Sequence, residues 1–151
     1  MKKKIGTILS ALVVGSLALP VYGYGQSVGK TPPCYGNENN ATQTALTAMV
    51  NAKMIPGFES IYRDDKKPYF LKTTLLDSEK VGKYSGRDYP ATDIYRQVQK
   101  MNVRTKENKE FEVMTISETS FVECSMSEPV VIVVSPEFQV LSKGKFLIST
   151  Q

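Results

Sequence analysis

Residues 95–116, YRQVQKMNVRTKENKEFEVMTI, decide between two folds for the chain. With the residues just before them, Asp93 to Asn102 fit a helix, because Ile94, Val98 and Met101 fall on one i, i+4, i+7 face. The polar run Lys106-Glu107-Asn108-Lys109 decides otherwise. It separates two segments of similar length, Tyr95–Arg104 and Glu110–Ser117, and so reads as the loop of a hairpin between antiparallel strands.

Outward from that hairpin, short segments rich in aromatic, Val, Ile and Thr residues alternate with turn chemistry. Strands are expected at Tyr69–Leu76, Phe121–Ser125 and Val130–Ser135, followed by a last hairpin around Ser142-Lys143-Gly144-Lys145. Val130 to Val134 are apolar at every position and follow Pro129, which predicts a central strand covered on both faces. Upstream, Asn40 offers an N-cap with Gln43 three residues on, and Ala45, Leu46, Ala48, Met49, Val50, Ala52 and Met54 form a stripe at helical spacing. Thr44, Thr47, Asn51 and Lys53 make its outer face, and Pro56-Gly57 stops it. The fold class expected is α+β: one N-terminal helix packed on an antiparallel sheet of five or six strands, with one disulfide.

Lys2, Lys3 and Lys4, the uncharged apolar run Ile5–Leu19, and Pro20 followed by small residues read as a secretory signal peptide over residues 1–25, of bacterial type. The run is shorter than the roughly 20 apolar residues of a membrane span, so no membrane anchor is expected after cleavage. Residues 26–151 then form one exported domain, periplasmic or secreted, whose residues 26–40 are an irregular arm. Removing the three lysines lowers the formal charge from +4 to 4 − 3 = +1. Lys66 and Lys67 follow Asp64 and Asp65, and Lys106 and Lys109 alternate with Glu107 and Glu110, which is a solvated surface and not the basic field that nucleic acid needs. In an oxidising compartment Cys34 and Cys124 pair, closing a loop of 124 − 34 = 90 residues. On the chain-entropy model that closure is worth about 4 to 5 kcal/mol.

The sequence has no histidine, so neither a Ser-His-Asp nor a Cys-His arrangement can be built, and no histidine-ligated metal. Gly25-Gln26-Ser27-Val28-Gly29-Lys30-Thr31 lacks the spacing and the following helix of a phosphate loop. Ser27-Val28-Gly29-Lys30 and Ser142-Lys143-Gly144-Lys145 match Ser-x-x-Lys without its companion motifs. No cofactor and no metal are expected. The carboxylate pairs Asp64 with Asp65 and Glu110 with Glu112 keep a small cell-wall or carbohydrate hydrolase as the competing class. A third class is a structural subunit of a pilus or secretion assembly, pairing through Val130–Val134.

The segment Tyr84-Ser85-Gly86-Arg87-Asp88-Tyr89-Pro90 sets two tyrosines about an arginine on a loop turned by glycine and stiffened by proline. Tyr and Arg dominate binding hot spots, so Tyr84, Ser85, Arg87 and Tyr89 are the candidate binding residues. Within the segment, Ser85-Gly86-x-x-Tyr89 resembles the short loop with which some bacterial periplasmic lysozyme inhibitors enter the lysozyme cleft. The resemblance covers five positions of the 151 and implies a secreted, disulfide-containing, mostly β inhibitor. The function expected is non-enzymatic binding of another protein, in the manner of an inhibitor, an immunity protein or an envelope accessory.

Overall fold

The computed structural model of the chain describes residues 31–61, 71–86 and 90–148. Among these residues are one helix, α1 (Asn40–Asn51), a 3-10 turn at Phe58–Ser60, and five strands: β1 (Leu71–Tyr84), β2 (Thr92–Arg104), β3 (Glu110–Thr119), β4 (Glu128–Ser135) and β5 (Gln139–Lys145). The strands form one antiparallel sheet in the order β1-β2-β3-β4-β5. With one helix packed on it and a Cys34–Cys124 disulfide, this is the α+β architecture expected.

Residues 93–102 lie in a strand, and the hairpin of the opening stretch is present. Arg104 pairs with Glu110, the Thr105 amide donates to the Lys109 carbonyl (2.9 Å), and Asn108 takes φ +58°. A three-residue hairpin loop needs a left-handed residue at its end, and asparagine tolerates that conformation better than most residues with a Cβ.

Helix α1 starts one residue earlier than expected. Asn39, not Asn40, is the cap, its side chain accepting from the Thr42 amide (2.9 Å). Gln43 does not close a box on that cap but donates to the Asn37 carbonyl (3.1 Å). At the other end Met54 N–H reaches the Met49 carbonyl and Lys53 N–H the Val50 carbonyl, with Lys53 at φ +58°, a Schellman stop three residues ahead of Pro56. Leu46 and Met49 are fully buried and pack with Met101, Val103, Val113, Val131 and Val133 into the core.

Three expectations fail. Phe121–Ser125 is a turn, because the Ser120 hydroxyl accepts the amides of Val122 and Glu123 (3.2 and 3.0 Å) and so removes them from any ladder. Ser142–Lys145 is no hairpin tip but runs within β5, where Gly144 at φ +64° lies against β4. The turn between β4 and β5 sits earlier, at Pro136-Glu137-Phe138. Last, β4 is paired on both sides yet covered on only one face: Val131 and Val133 are buried, while Val130 and Ile132 are half-buried and Val134 is exposed. Its neighbour across from β3 is the edge strand, so β3 and not β4 is central. Of the strand expected at Tyr69–Leu76, the described part, from Leu71, is strand and runs on to Tyr84, with register shifts at Leu75/Asp77 and Lys80/Gly82. Residues 62–70 lie outside the described residues, as do the leader, the phosphate-loop-like stretch up to Lys30, and Asp64 and Asp65.

A Cβ on Gly144 would lie 2.7 Å from the Val130 amide nitrogen and 2.8 Å from the Glu128 carbonyl, both backbone atoms that cannot turn away. Gly144→Ala should therefore destabilise the chain by about 2 kcal/mol or more, combining the left-handed penalty with displacement of β5. Urea unfolding measures it, and an unchanged midpoint would mean that β5 re-registers at no cost.

Candidate functional site

In an antiparallel meander, alternate connections share one end of the sheet. Here the β1–β2 connection, which carries the candidate binding segment, lies at the same end as the β3–β4 connection, Ser120–Ser127. The Phe146–Ile148 segment that follows β5 joins them there, since Ile148 lies near Gly82 and both its amide and that of Leu147 meet Glu118.

Tyr84 is the last residue of β1, half-buried and paired with Thr92, and Ser85 and Pro90 are exposed. Gly86 has a local reason. A Cβ there would come 2.6 Å from the Tyr84 hydroxyl, so the missing side chain lets the tyrosine ring fold over the loop. Arg87 and Tyr89 lie outside the described residues. Beneath the loop Asp93 accepts Lys80 at 2.7 Å and stands 4.0 Å from Lys83, tying β1 to β2 where they part.

The β3–β4 turn contributes two residues that the sequence reading placed on a strand. Phe121 and Val122 are 55% and 60% exposed although the turn beneath them is closely built. Ser120 N–H donates to the Glu123 carbonyl (2.8 Å), the Glu123 carboxylate accepts the Ser125 amide (2.9 Å) and hydroxyl (2.6 Å), and Cys124 is tied to Cys34. Phe121 stands edge-on to Tyr95 with ring centroids 5.5 Å apart. A fixed turn that holds an aromatic and a valine out to water costs little ordering entropy on contact with a partner. The signal in the sequence was Ser120, a turn-forming hydroxyl directly before the apolar pair, with Cys124 just after it.

Of the carboxylates of the competing enzyme class, Glu110 and Glu112 are engaged elsewhere, and Asp64 and Asp65 lie outside the described residues. Glu110 pairs with Arg104 and Glu112 with Lys100 (3.0 Å), both on the sheet face away from the helix and towards the opposite end. Glu118 is fully buried on Arg96. No group of three side chains able to hold a metal occurs among the described residues, and no described helix is long and apolar enough to cross a membrane.

Among the described residues, three charged groups are shifted from their ordinary values. The Thr105 hydroxyl, and then its own backbone amide, hold Glu107 below 4.5, and the Ser125 hydroxyl and amide hold Glu123 below 4.5. The hydrogen bond to Asp93 holds Lys80 above 10.5. A lowered carboxyl stabilises the fold above its unfolded pKa and loses that contribution as pH falls through the folded value. A raised lysine stabilises below its unfolded pKa and loses it as pH rises through the folded value. All three windows lie outside neutrality, and the chain has no histidine. The melting temperature should therefore be flat between about pH 5.5 and 8, falling below about 4.5 and above about 10. An inflection inside the flat range, read by calorimetry, would reveal a carboxyl raised towards neutrality as a general acid requires.

Comparison with protein-family models, with curated proteins and with solved structures finds no match for this chain.

Proposed function

We propose that this chain is a small exported, non-enzymatic protein-binding module of the inhibitor, immunity or envelope-accessory type, and that it binds with the loop end of its sheet. The observation that carries the reading is the outward display of Phe121 and Val122 on a turn fixed by hydrogen bonds and a disulfide, at the same sheet end as Tyr84 and Ser85. Export by the leader in residues 1–25 is part of the proposal, and the disulfide, a bond of oxidising compartments, supports it. Arg87 and Tyr89 complete the binding set by residue type.

The test is affinity capture from envelope extract with the exported chain as bait. Tyr89→Ala, Arg87→Ala and Phe121→Ala should each weaken capture of the same partner by about 2 kcal/mol while the melting temperature hardly moves. Equal losses of binding and stability would make these side chains packing residues. Hydrolysis of peptidoglycan by the purified chain itself would replace the binding module by the carboxylate enzyme.

A further inference from the structure

The sheet face under the helix changes character half-way along. Towards the hairpin end it is the apolar core. Towards the loop end the same face carries Gln97, Gln99, Thr115, Ser117 and Thr119, every one at most 2% exposed. Register places Gln97 opposite Ser117 and Gln99 opposite Thr115, so these are neighbours on adjacent strands.

The arm, Thr31–Gly36, lies over the two glutamines of this row. Gln97 Nε2 donates to the Pro32 carbonyl (2.8 Å) and Gln99 Nε2 to the Cys34 carbonyl (3.3 Å), so two glutamines two residues apart on β2 meet two carbonyls two residues apart on the arm. The Gly36 amide donates back to Gln99 Oε1 (3.4 Å). In the same row Gln97 Oε1 and the hydroxyls of Thr115, Ser117 and Thr119 are buried with no protein partner. None of residues 31–36 belongs to the hydrophobic core cluster.

Covering a polar floor that it satisfies only in part is a weak reason for a segment to stay down, since lifting it lets water reach the unpartnered oxygens. Thr31 also hydrogen-bonds Gln97 (3.3 Å) and Ser78, and the Gly36 carbonyl accepts Asn39 Nδ2 and Thr42 Oγ1 (2.8 Å each); the one covalent restraint on the arm is the tie to Cys124. Cys34 is 3% exposed, but Cys124 is only half-buried, on the surface turn.

We propose that the arm is a redox-releasable strap: reducing Cys34–Cys124 lifts Thr31–Gly36 off the polar floor while the helix and sheet stay folded. A thiolate of a dithiol reductant attacks the Cys124 sulfur and breaks the S–S bond, and Cys34 leaves as a thiolate that takes up a proton. The reductant's second thiolate then attacks the mixed disulfide, freeing Cys124, which is also protonated. The cysteines gain two electrons and two protons, and the reductant ends as a disulfide. Release uncovers Gln97 and Gln99, the two side chains of the row that pair with extended main chain while the arm is down.

Amide hydrogen exchange on the full chain, oxidised and in excess dithiothreitol below the melting transition, tests this. The Gly36 amide should exchange about 100-fold faster on reduction, while the amides of Met101 and Val113 in the central strands keep their protection. Loss of protection in the arm and the central strands together would make the bond a staple of the whole domain and overturn the proposal. A Gly36 amide that stays protected would overturn it too. The double substitution Thr115→Val with Ser117→Ala gives the floor a reason to stay covered, so the acceleration at Gly36 should fall about tenfold. An unchanged acceleration would remove the polar floor from the account.

Discussion

Glu118→Ala should lower stability by about 3 to 5 kcal/mol, the cost of removing one partner from a buried ion pair. Glu118 is fully buried and Arg96, its direct cross-strand partner, is 18% exposed, so solvent screens the pair little. Each carboxylate oxygen has work. Oε1 accepts Arg96 Nη2 at 2.7 Å, and Oε2 accepts the amides of Leu147 (2.6 Å) and Ile148 (3.2 Å). The same arginine nitrogen donates to the Ile148 carbonyl (2.9 Å), and its guanidinium lies 4.4 Å from the centre of the Phe146 ring. Alanine at 118 leaves a guanidinium whose Nε already has no partner, and two amides without an acceptor.

Equilibrium urea unfolding gives the loss, and exchange of the Leu147 amide shows whether the segment after β5 comes away first. The double variant Arg96→Met with Glu118→Met separates the cost of an orphaned charge from the value of the pair. It should destabilise less than Glu118→Ala, because nothing charged is left behind. A double variant as damaged as the single one would mean that the amides of Leu147 and Ile148, not the ion pair, carry the effect.

The helix and the β2–β3 hairpin were legible because their signals are local. Periodicity from Ala45 to Met54 and the polar run at Lys106–Lys109 each act over a few residues; the hairpin formed at its signal, and the helix formed over the stripe as far as Asn51, short of Met54. The Cys34–Cys124 bond was legible from number alone, since two cysteines leave one pairing. What escaped depends on distant chain. Gln97 and Gln99 look like the polar side of a strand until the arm, some 65 residues earlier, settles over them. Glu118 looks like a surface acid until the segment after β5 returns to it. Phe121–Ser125 has strand composition, yet the single hydroxyl of Ser120 and the disulfide at Cys124 together outweigh it. Of the binding residues chosen by type, Tyr84 and Ser85 stand at the sheet end where Phe121 and Val122 are displayed; periodicity cannot show that coincidence because it arises from strand order.

An apolar run does not say how many faces are covered, and β4 shows why in a way that mutation can measure. Val131 has no exposure and faces α1, whereas Ile132 next to it points to the uncovered side of the sheet and is half-buried. Threonine at 131 would place a hydroxyl where the core cluster offers no acceptor, costing about 1 to 3 kcal/mol beyond the lost methyl. Threonine at 132 can turn its hydroxyl to water and should cost about 1 kcal/mol or less. Leu46→Ala tests the cover itself. Leu46 is fully buried where α1 meets the sheet, and its loss should cost about 2 to 5 kcal/mol according to how far the helix can settle into the space. Urea midpoints for the three variants give the ordering. If Ile132→Thr proved as damaging as Val131→Thr, the second face would be covered in solution, and the chain would be burying it against another molecule.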